Sequence, residues 1–212
     1  MAHIPAAERR DALVQAALRV VAEGGVGAAT TRAIAAEAGM PLASFHYVFD
    51  SRDDLMAHLV TFVVGQEEAA ILPEPIVGSD LQEVISAGLW RYADLLRADP
   101  LREQAMLELT HYALRSADMA DLARRQYEHY FSLAASALTS AATHLGLVWD
   151  RPVDEVARIL VALTDGMTIS WLVDRDDAAL SDIISFAAES VARFARTPER
   201  AHRDEDDVTR TT

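Results

Sequence analysis

Glu108-Leu109-Thr110-His111 places a carboxylate and an imidazole one helical turn apart. Di-iron helical bundles use this Glu-x-x-His spacing, but they need two such motifs plus two further glutamates on facing helices. The second copy, Glu199-Arg200-Ala201-His202, falls in the polar C-terminal stretch. The chain has no cysteine, which removes disulfides, thiolate nucleophiles and thiolate metal ligands. It has no glycine-rich phosphate loop, nucleophile elbow or metalloprotease motif. The expectation is a protein that is not an enzyme and has no cofactor or metal. A metal-dependent helical-bundle enzyme is kept as an alternative.

The chemistry that remains is recognition. Thr30-Thr31-Arg32-Ala33-Ile34-Ala35-Ala36-Glu37-Ala38 reads as a short helix whose free amides Thr30 or Thr31 can cap. Gly39 permits a backbone reversal, and Pro41 suits the first turn of a second short helix, Leu42 to Val48. Helices of about two turns do not persist alone, so a third must support them. The stripe Leu13, Ala16, Ala17, Val20 and Val21, on a helix from about Pro5 to Glu23 that Gly24-Gly25 ends, supplies that support. This is helix-turn-helix logic, in which the second short helix is offered to a DNA major groove. Phe45 and Phe49 read as core, whereas the Tyr47 ring can pack while its hydroxyl reaches a phosphate.

The whole chain agrees with an all-α fold. Of its 212 residues, 51% are hydrophobic and 25% charged, the balance of a globular chain. Every periodic segment repeats at 3.6 residues and none at 2, giving about nine helices. Ser51 starts a fourth helix, and Pro73, Pro75 and Gly78 mark a linker. Helices then begin near Ser79 or Asp80, at Pro100, near Ser116 or Asp118, at Pro152, and after Asp174–Asp177. The longest aliphatic run, Ile159 to Leu163, is five residues, so no membrane-spanning helix and no membrane partner are expected. We expect a helix-turn-helix domain over 1–50, a larger domain over 51–196 with 51–72 as connecting helix, and a disordered acidic tail over 197–212. The net charge is −14, which excludes non-specific coating of nucleic acid or anionic membrane. Residues 1–60 carry five Arg against seven acids, so only that quarter can approach a polyanion without heavy repulsion.

The stretch Ile34-Ala35 … Ala38-Gly39 … Phe45-His46-Tyr47-Val48-Phe49-Asp50-Ser51-Arg52-Asp53-Asp54-Leu55 resembles the tetracycline-repressor (TetR) family of bacterial regulators, over roughly residues 8–58. The lack of cysteine and of long apolar runs leads us to expect a cytoplasmic protein, and the resemblance implies a homodimeric repressor, released from a palindromic double-stranded operator by a small-molecule effector. It puts Thr30 at the cap of the second helix and Arg32 within reach of a phosphate. Leu42, Ala43, Ser44, His46 and Tyr47 then lie on the recognition helix. Arg52 stands where the family commonly has lysine and is expected to grip the DNA backbone. Leu42 and Ala43 replace the family's frequent polar residue and glycine; Leu42 can touch a thymine methyl instead. The alternative is a helical interaction module without DNA binding.

The last two helices are the expected dimer face. The final one is amphipathic and its predecessor is apolar nearly all round. Gly166, Ile183, Ile184, Ala187, Val191 and Phe194 are expected to meet the partner. The middle helices are rich in aromatic and mixed-polarity side chains, which suits an apolar pocket with a few convergent polar groups. Trp90, Met106, Thr110, Tyr127 and Trp171 are expected to line it.

Overall fold

Short-range capping accounts for most helix starts. The structure is a computed structural model that describes residues 5–71, 76, 78–116 and 119–198. Among these, α1 spans Ala6–Ala28, α2 Thr31–Glu37, α3 Leu42–Val48, α4 Arg52–Ile71 and α5 Leu81–Ala98. They are followed by α6 Pro100–Arg115, α7 Ala120–Leu145, α8 Val153–Asp174 and α9 Asp177–Ala192. Thr30 Oγ1, Ser51 Oγ, Asp80 Oδ1 and Asp99 Oδ1 each accept the backbone N–H three residues on, at 3.1, 3.0, 2.9 and 3.1 Å. Gly39, at φ +66°, makes the turn between α2 and α3.

The Gly24-Gly25 pair breaks the first helix as the sequence suggests: Gly25 adopts φ 78° and ψ 170°, outside the helical region, and a short helical segment past this kink carries α1 to Ala28. The Val26 N–H just after the break donates to Glu108 Oε1 at 2.8 Å. The structure also holds one pair of two-residue strands, β1 (Val148–Trp149) and β2 (Ala195–Arg196), antiparallel. Strands this short carry no readable period.

Two apolar cores are present. The first joins Leu13, Ala17 and Val21 of α1 to Ile34, Phe45, Leu55 and Leu59, and continues into α6 through Met106, Leu109 and Ala113. The second joins Ile85 and Leu96 of α5 to Leu138, Val156 and Met167, and to Leu180, Ile184 and Ala188 of α9. Fully burying one such aliphatic side chain stabilises by about 1.5–3 kcal/mol, enough to hold α2 and α3 in place. The second core accounts for one apolar face of α8. Its mean hydropathy reaches 1.5, enough by length and composition to cross a membrane, contrary to the expectation drawn from short aliphatic runs. Here Val156, Ala157, Val161, Met167 and Trp171 of α8 are buried within the protein. The tail from residue 199, with Glu199 and His202, lies outside the described residues, as do Pro73, Pro75 and Asp118.

Candidate nucleic-acid interface and ligand cavity

Phe45 decides how α3 sits. It is fully buried, with its ring centroid 5.7 Å from that of Phe49, itself 1% exposed. With that side anchored, the helix turns its opposite side outward. Ala43 and His46 are exposed, Tyr47 is 70% exposed and Leu42 36%. Ser44 is half-buried, its backbone N–H donated to Pro41 O at 2.8 Å. On α2, Arg32 is exposed, and the Thr30 hydroxyl oxygen is engaged as the cap. Leu42, Ala43, His46 and Tyr47 therefore share one surface, with Arg32 on the neighbouring helix.

Two residues the sequence reading passed over support that surface. The Arg9 guanidinium lies over the Tyr47 ring, 4.9 Å from its centroid. Arg10 Nη1 is 2.8 Å from His58 Nε2, and its other terminal nitrogen reaches Val48 O at 3.5 Å. The available signal was an adjacent arginine pair in the opening turns of α1, where the helix dipole disfavours cations and another use is implied.

Arg52 departs from the expected phosphate grip. Its Nε–H donates to Ala29 O at 2.7 Å, its Nη1 to Tyr112 Oη at 3.2 Å and its Nη2 to Val26 O. The guanidinium closes the last turn of α1, where helix carbonyls lack partners, and joins it to α6. Five N–H donors in a rigid fork suit this bracing role.

A cavity of about 220 Å³ lies among α5, α6, α7 and α8. Of the residues read as pocket formers, Met106, Thr110 and Tyr127 line it, beside Leu89, Tyr92, Glu103, Leu107, Gln126, Tyr130, Leu133, Val161, Asp165 and Thr168. Trp90 and Trp171 do not. Trp90 packs beside the second core with Arg97 stacked 5.1 Å from its ring, and Trp171 is 8% exposed with its indole N–H donated to Asp177 Oδ1 at 2.9 Å. Aromatic type marked both as pocket formers, but their positions on the helices turn them elsewhere.

The polar groups of the cavity are partnered differently. Glu103 is buried and bound by Arg102 through Nη2, at 2.9 Å. Tyr92 Oη donates to Glu103 Oε2 at 3.2 Å and lies 2.7 Å from Thr168 Oγ1. Thr110 Oγ1 is within 3.1 Å of Gln126 Oε1 and 2.9 Å of Met106 O. Asp165 accepts from Tyr127 Oη at 3.0 Å. Burial raises the Asp165 carboxyl above its ordinary value, the Tyr127 hydrogen bond opposing. Burial foremost, then the nearby Asp165 charge, pushes the Tyr127 phenol up to about 12.

The proposed dimer residues divide sharply. Ile184, Ala187 and Val191 are 0%, 2% and 0% exposed, spent on the second core, and Ile183 and Phe194 pack against that core in part. Of the six, Gly166 alone is exposed. Its neighbours on that face are Ala162, Ile169 (46% exposed) and Val173 (81%), with Phe186 of α9 at 62%. The spacing 162-166-169-173 is a legible apolar stripe at i, i+4, i+7 and i+11. It was missed because α8 carries a second apolar face, and the sequence does not say which one turns inward.

Residues 13–59 match the family model of bacterial regulatory proteins, tetR family, and residues 82–196 match the BetI-type transcriptional repressor, C-terminal model. The HTH-type nicotine-responsive transcriptional repressor HdnoR of Paenarthrobacter nicotinovorans is 31% identical over 184 residues, spanning 85% of this chain and 92% of that protein. The solved structure of the multidrug binding protein EbrR complexed with malachite green is 25% identical, with TM-score 0.63, covering 90% of this chain and 99% of that one. A putative TetR-family transcriptional regulator from Rhodococcus sp. has TM-score 0.74 at 20% identity, covering 89% and 98%; this likeness is one of fold.

Proposed function

The chain belongs to the TetR family of bacterial regulatory proteins, as a DNA-binding, effector-responsive transcriptional repressor, and we propose that it acts as a cytoplasmic homodimer on a palindromic operator. Residues 1–50 serve as the reading head and 51–196 as the effector-binding and dimerisation part. The observation that carries this reading is the α3 surface: Leu42, Ala43, His46 and Tyr47 face outward because buried Phe45 anchors the other side. His46 and Tyr47, with Ser44 at the margin, offer hydrogen-bonding groups to bases or phosphates. Leu42 offers an apolar contact for a thymine methyl, and Arg32 a charge for the backbone.

One short recognition helix covers few base pairs, so two heads must act together at half-sites about 34–36 Å apart or multiples of that distance. The exposed stripe Gly166, Ile169 and Val173 with Phe186 is the surface on which a second copy docks. Such a patch is what an isologous, self-complementary interface requires.

Effector coupling runs through α6. Met106, Leu107 and Thr110 line the cavity, while Glu108 holds Val26 and Tyr112 holds Arg52. A ligand that shifts this helix moves the support of the reading head. Couplings of this kind are typically about 1–3 kcal/mol, a useful switch for a repressor. A relative named for its response to nicotine and a structural neighbour named a multidrug binding protein support a small organic effector. Its family is regulatory, and no catalytic role is assigned to any residue.

The test is fluorescence anisotropy with the DNA upstream of the protein's own gene, over a salt series. Saturable, sequence-specific binding that weakens linearly in log affinity against log salt is expected. Equal binding to scrambled DNA, or none at low salt, overturns the reading.

A further inference from the structure

The recognition helix α3 brings no arginine of its own, and Asp50 follows two residues after its end. Duplex DNA still has to be met by cations at that face. Residues 1–60 hold five arginines, and three are committed elsewhere. Arg52 is turned onto the carbonyls of Val26 and Ala29. Arg19 pairs with Glu37 at 2.6 Å, and Arg10 Nη1 lies 2.8 Å from His58 Nε2. Arg32 stands exposed on α2. Among the five it is Arg9 whose guanidinium stands on an outward-facing side chain of α3, 4.9 Å from the centroid of the Tyr47 ring.

Tyr47 is 70% exposed and Arg9 half-buried, so the stack belongs to the outward surface and contributes little to the core. A ring contact draws on the charge of a guanidinium and consumes none of its five N–H donors. Arg9 has another interaction besides this stack; what sets it apart is the ring that carries it. A long arginine side chain loses rotamer freedom when it grips a ligand, and one already stacked has given up part of that freedom in advance. The Tyr47 hydroxyl stands on the rim of the same ring. A phosphate has two unesterified oxygens, which accept N–H and O–H bonds about 2.7–3.0 Å long, so it can take one bond from each side chain.

We propose that Arg9 and Tyr47 form a composite phosphate-binding site at the edge of the reading head, in which the Arg9 guanidinium and the Tyr47 hydroxyl donate to one DNA phosphate. Arg9 supplies the charge that α3 lacks, and the Tyr47 ring positions it. This rests on the reading of α3 as the recognition helix and goes beyond it by assigning the cation of that helix to α1.

The experiment is fluorescence anisotropy of the full chain with labelled duplex DNA from upstream of its own gene, over a salt series. Each variant is checked for folding by thermal melting. Arg9→Gln should weaken binding at least about tenfold and flatten the slope of log affinity against log salt by about 0.9 for each reading head bound. Arg9→Lys keeps the charge and should keep the slope. Tyr47→Phe keeps the ring and should weaken binding severalfold with the slope unchanged, because the hydroxyl is neutral. The double variant Arg9→Gln with Tyr47→Phe should lose less than the product of the two single losses, since both act on one phosphate. Arg19→Gln removes the same charge from the same helix and should change the slope much less.

An unaltered slope in Arg9→Gln overturns the proposal and leaves the stack a purely structural contact. A flattened slope in Arg9→Lys, or equal flattening by Arg19→Gln, overturns it too. So does full affinity in Tyr47→Phe, which retains the stack and needs no loss of charge, or a double variant whose losses simply multiply. Absence of binding by the unaltered protein removes the repressor reading and this inference together, whereas binding with an unaltered slope in Arg9→Gln removes this inference alone.

Discussion

Glu108 Oε1 accepts the backbone N–H of Val26 at 2.8 Å, tying α6 to the stretch of α1 just past its kink. A Cβ built on Gly25, whose φ is +78°, would lie 2.6 Å from that same oxygen. Glycine at 25 and glutamate at 108 thus depend on each other, although they stand 83 positions apart in sequence. The Glu-x-x-His spacing around Glu108 is put to a structural use.

Gly25→Ala should destabilise the fold by about 2 kcal/mol or more, combining left-handed backbone strain with displacement of the Glu108 carboxylate. Glu108→Ala should cost about 1–3 kcal/mol through the orphaned amide. The double variant should be less damaging than the sum, because both remove one arrangement. Urea melts of the four proteins check this; strict additivity would show the two sites to be independent.

Arg32 and Arg52 should separate by salt dependence. Arg32→Ala is expected to flatten the slope of log affinity against log salt by about one phosphate contact per site, with little change in melting temperature. Arg52→Ala should lower stability by roughly 2–3 kcal/mol, because three hydrogen bonds end on one guanidinium. Its effect on DNA binding should follow from disorder of the α1–α4 junction, with the salt slope of the remaining folded fraction unchanged.

Asp165 sets a pH dependence with a definite sign. Its folded carboxyl holds its proton to higher pH than the unfolded chain does, chiefly through burial. The folded state therefore binds more protons between the ordinary carboxylate range and the raised value, and stability falls as pH rises through that window. The protonated form's advantage is fully present below the unfolded value and lost above the folded one. Asp165→Asn should raise the melting temperature near neutral pH and lose that gain in acid. Thermal melts across pH 3 to about 8 cover the window.

Phe186 and Ile184, two positions apart on α9, should respond in opposite ways. Phe186→Glu puts a charge on a side chain that is 62% exposed, and should yield a folded monomer with much weaker operator binding. Ile184→Ala empties a fully buried site and should cost about 2–5 kcal/mol of stability. Sedimentation velocity paired with thermal melting distinguishes them. A dimer that persists in Phe186→Glu would relocate the interface.

The reading head was legible because its signals are local. Thr30 caps the helix it precedes, Gly39 takes the left-handed turn, and buried Phe45 and Phe49 separate from exposed His46 and Tyr47 at helical spacing. The part built from α5 to α9 was legible in its helix boundaries and much less in its surfaces. Met106, Thr110 and Tyr127 reached the cavity, while Trp90 and Trp171 did not, since residue type suggests a pocket former without saying which way it turns. Asp165 gave no signal at all: an aspartate within an apolar helix looks the same facing solvent or facing a cavity.

Periodicity, caps and turn residues act over three or four positions, and within that range the sequence alone determined nine helices and the outward face of α3 among the described residues. The tertiary structure decided which apolar face of α8 and α9 became core, and turned the Arg52 guanidinium onto the carbonyls of α1. It also brought Asp165 to Tyr127 and Glu108 to Val26. Those outcomes depend on how whole helices rotate against one another to bury apolar area while pairing most buried polar groups. That balance is struck over the entire core at once, and no window of neighbouring residues contains it.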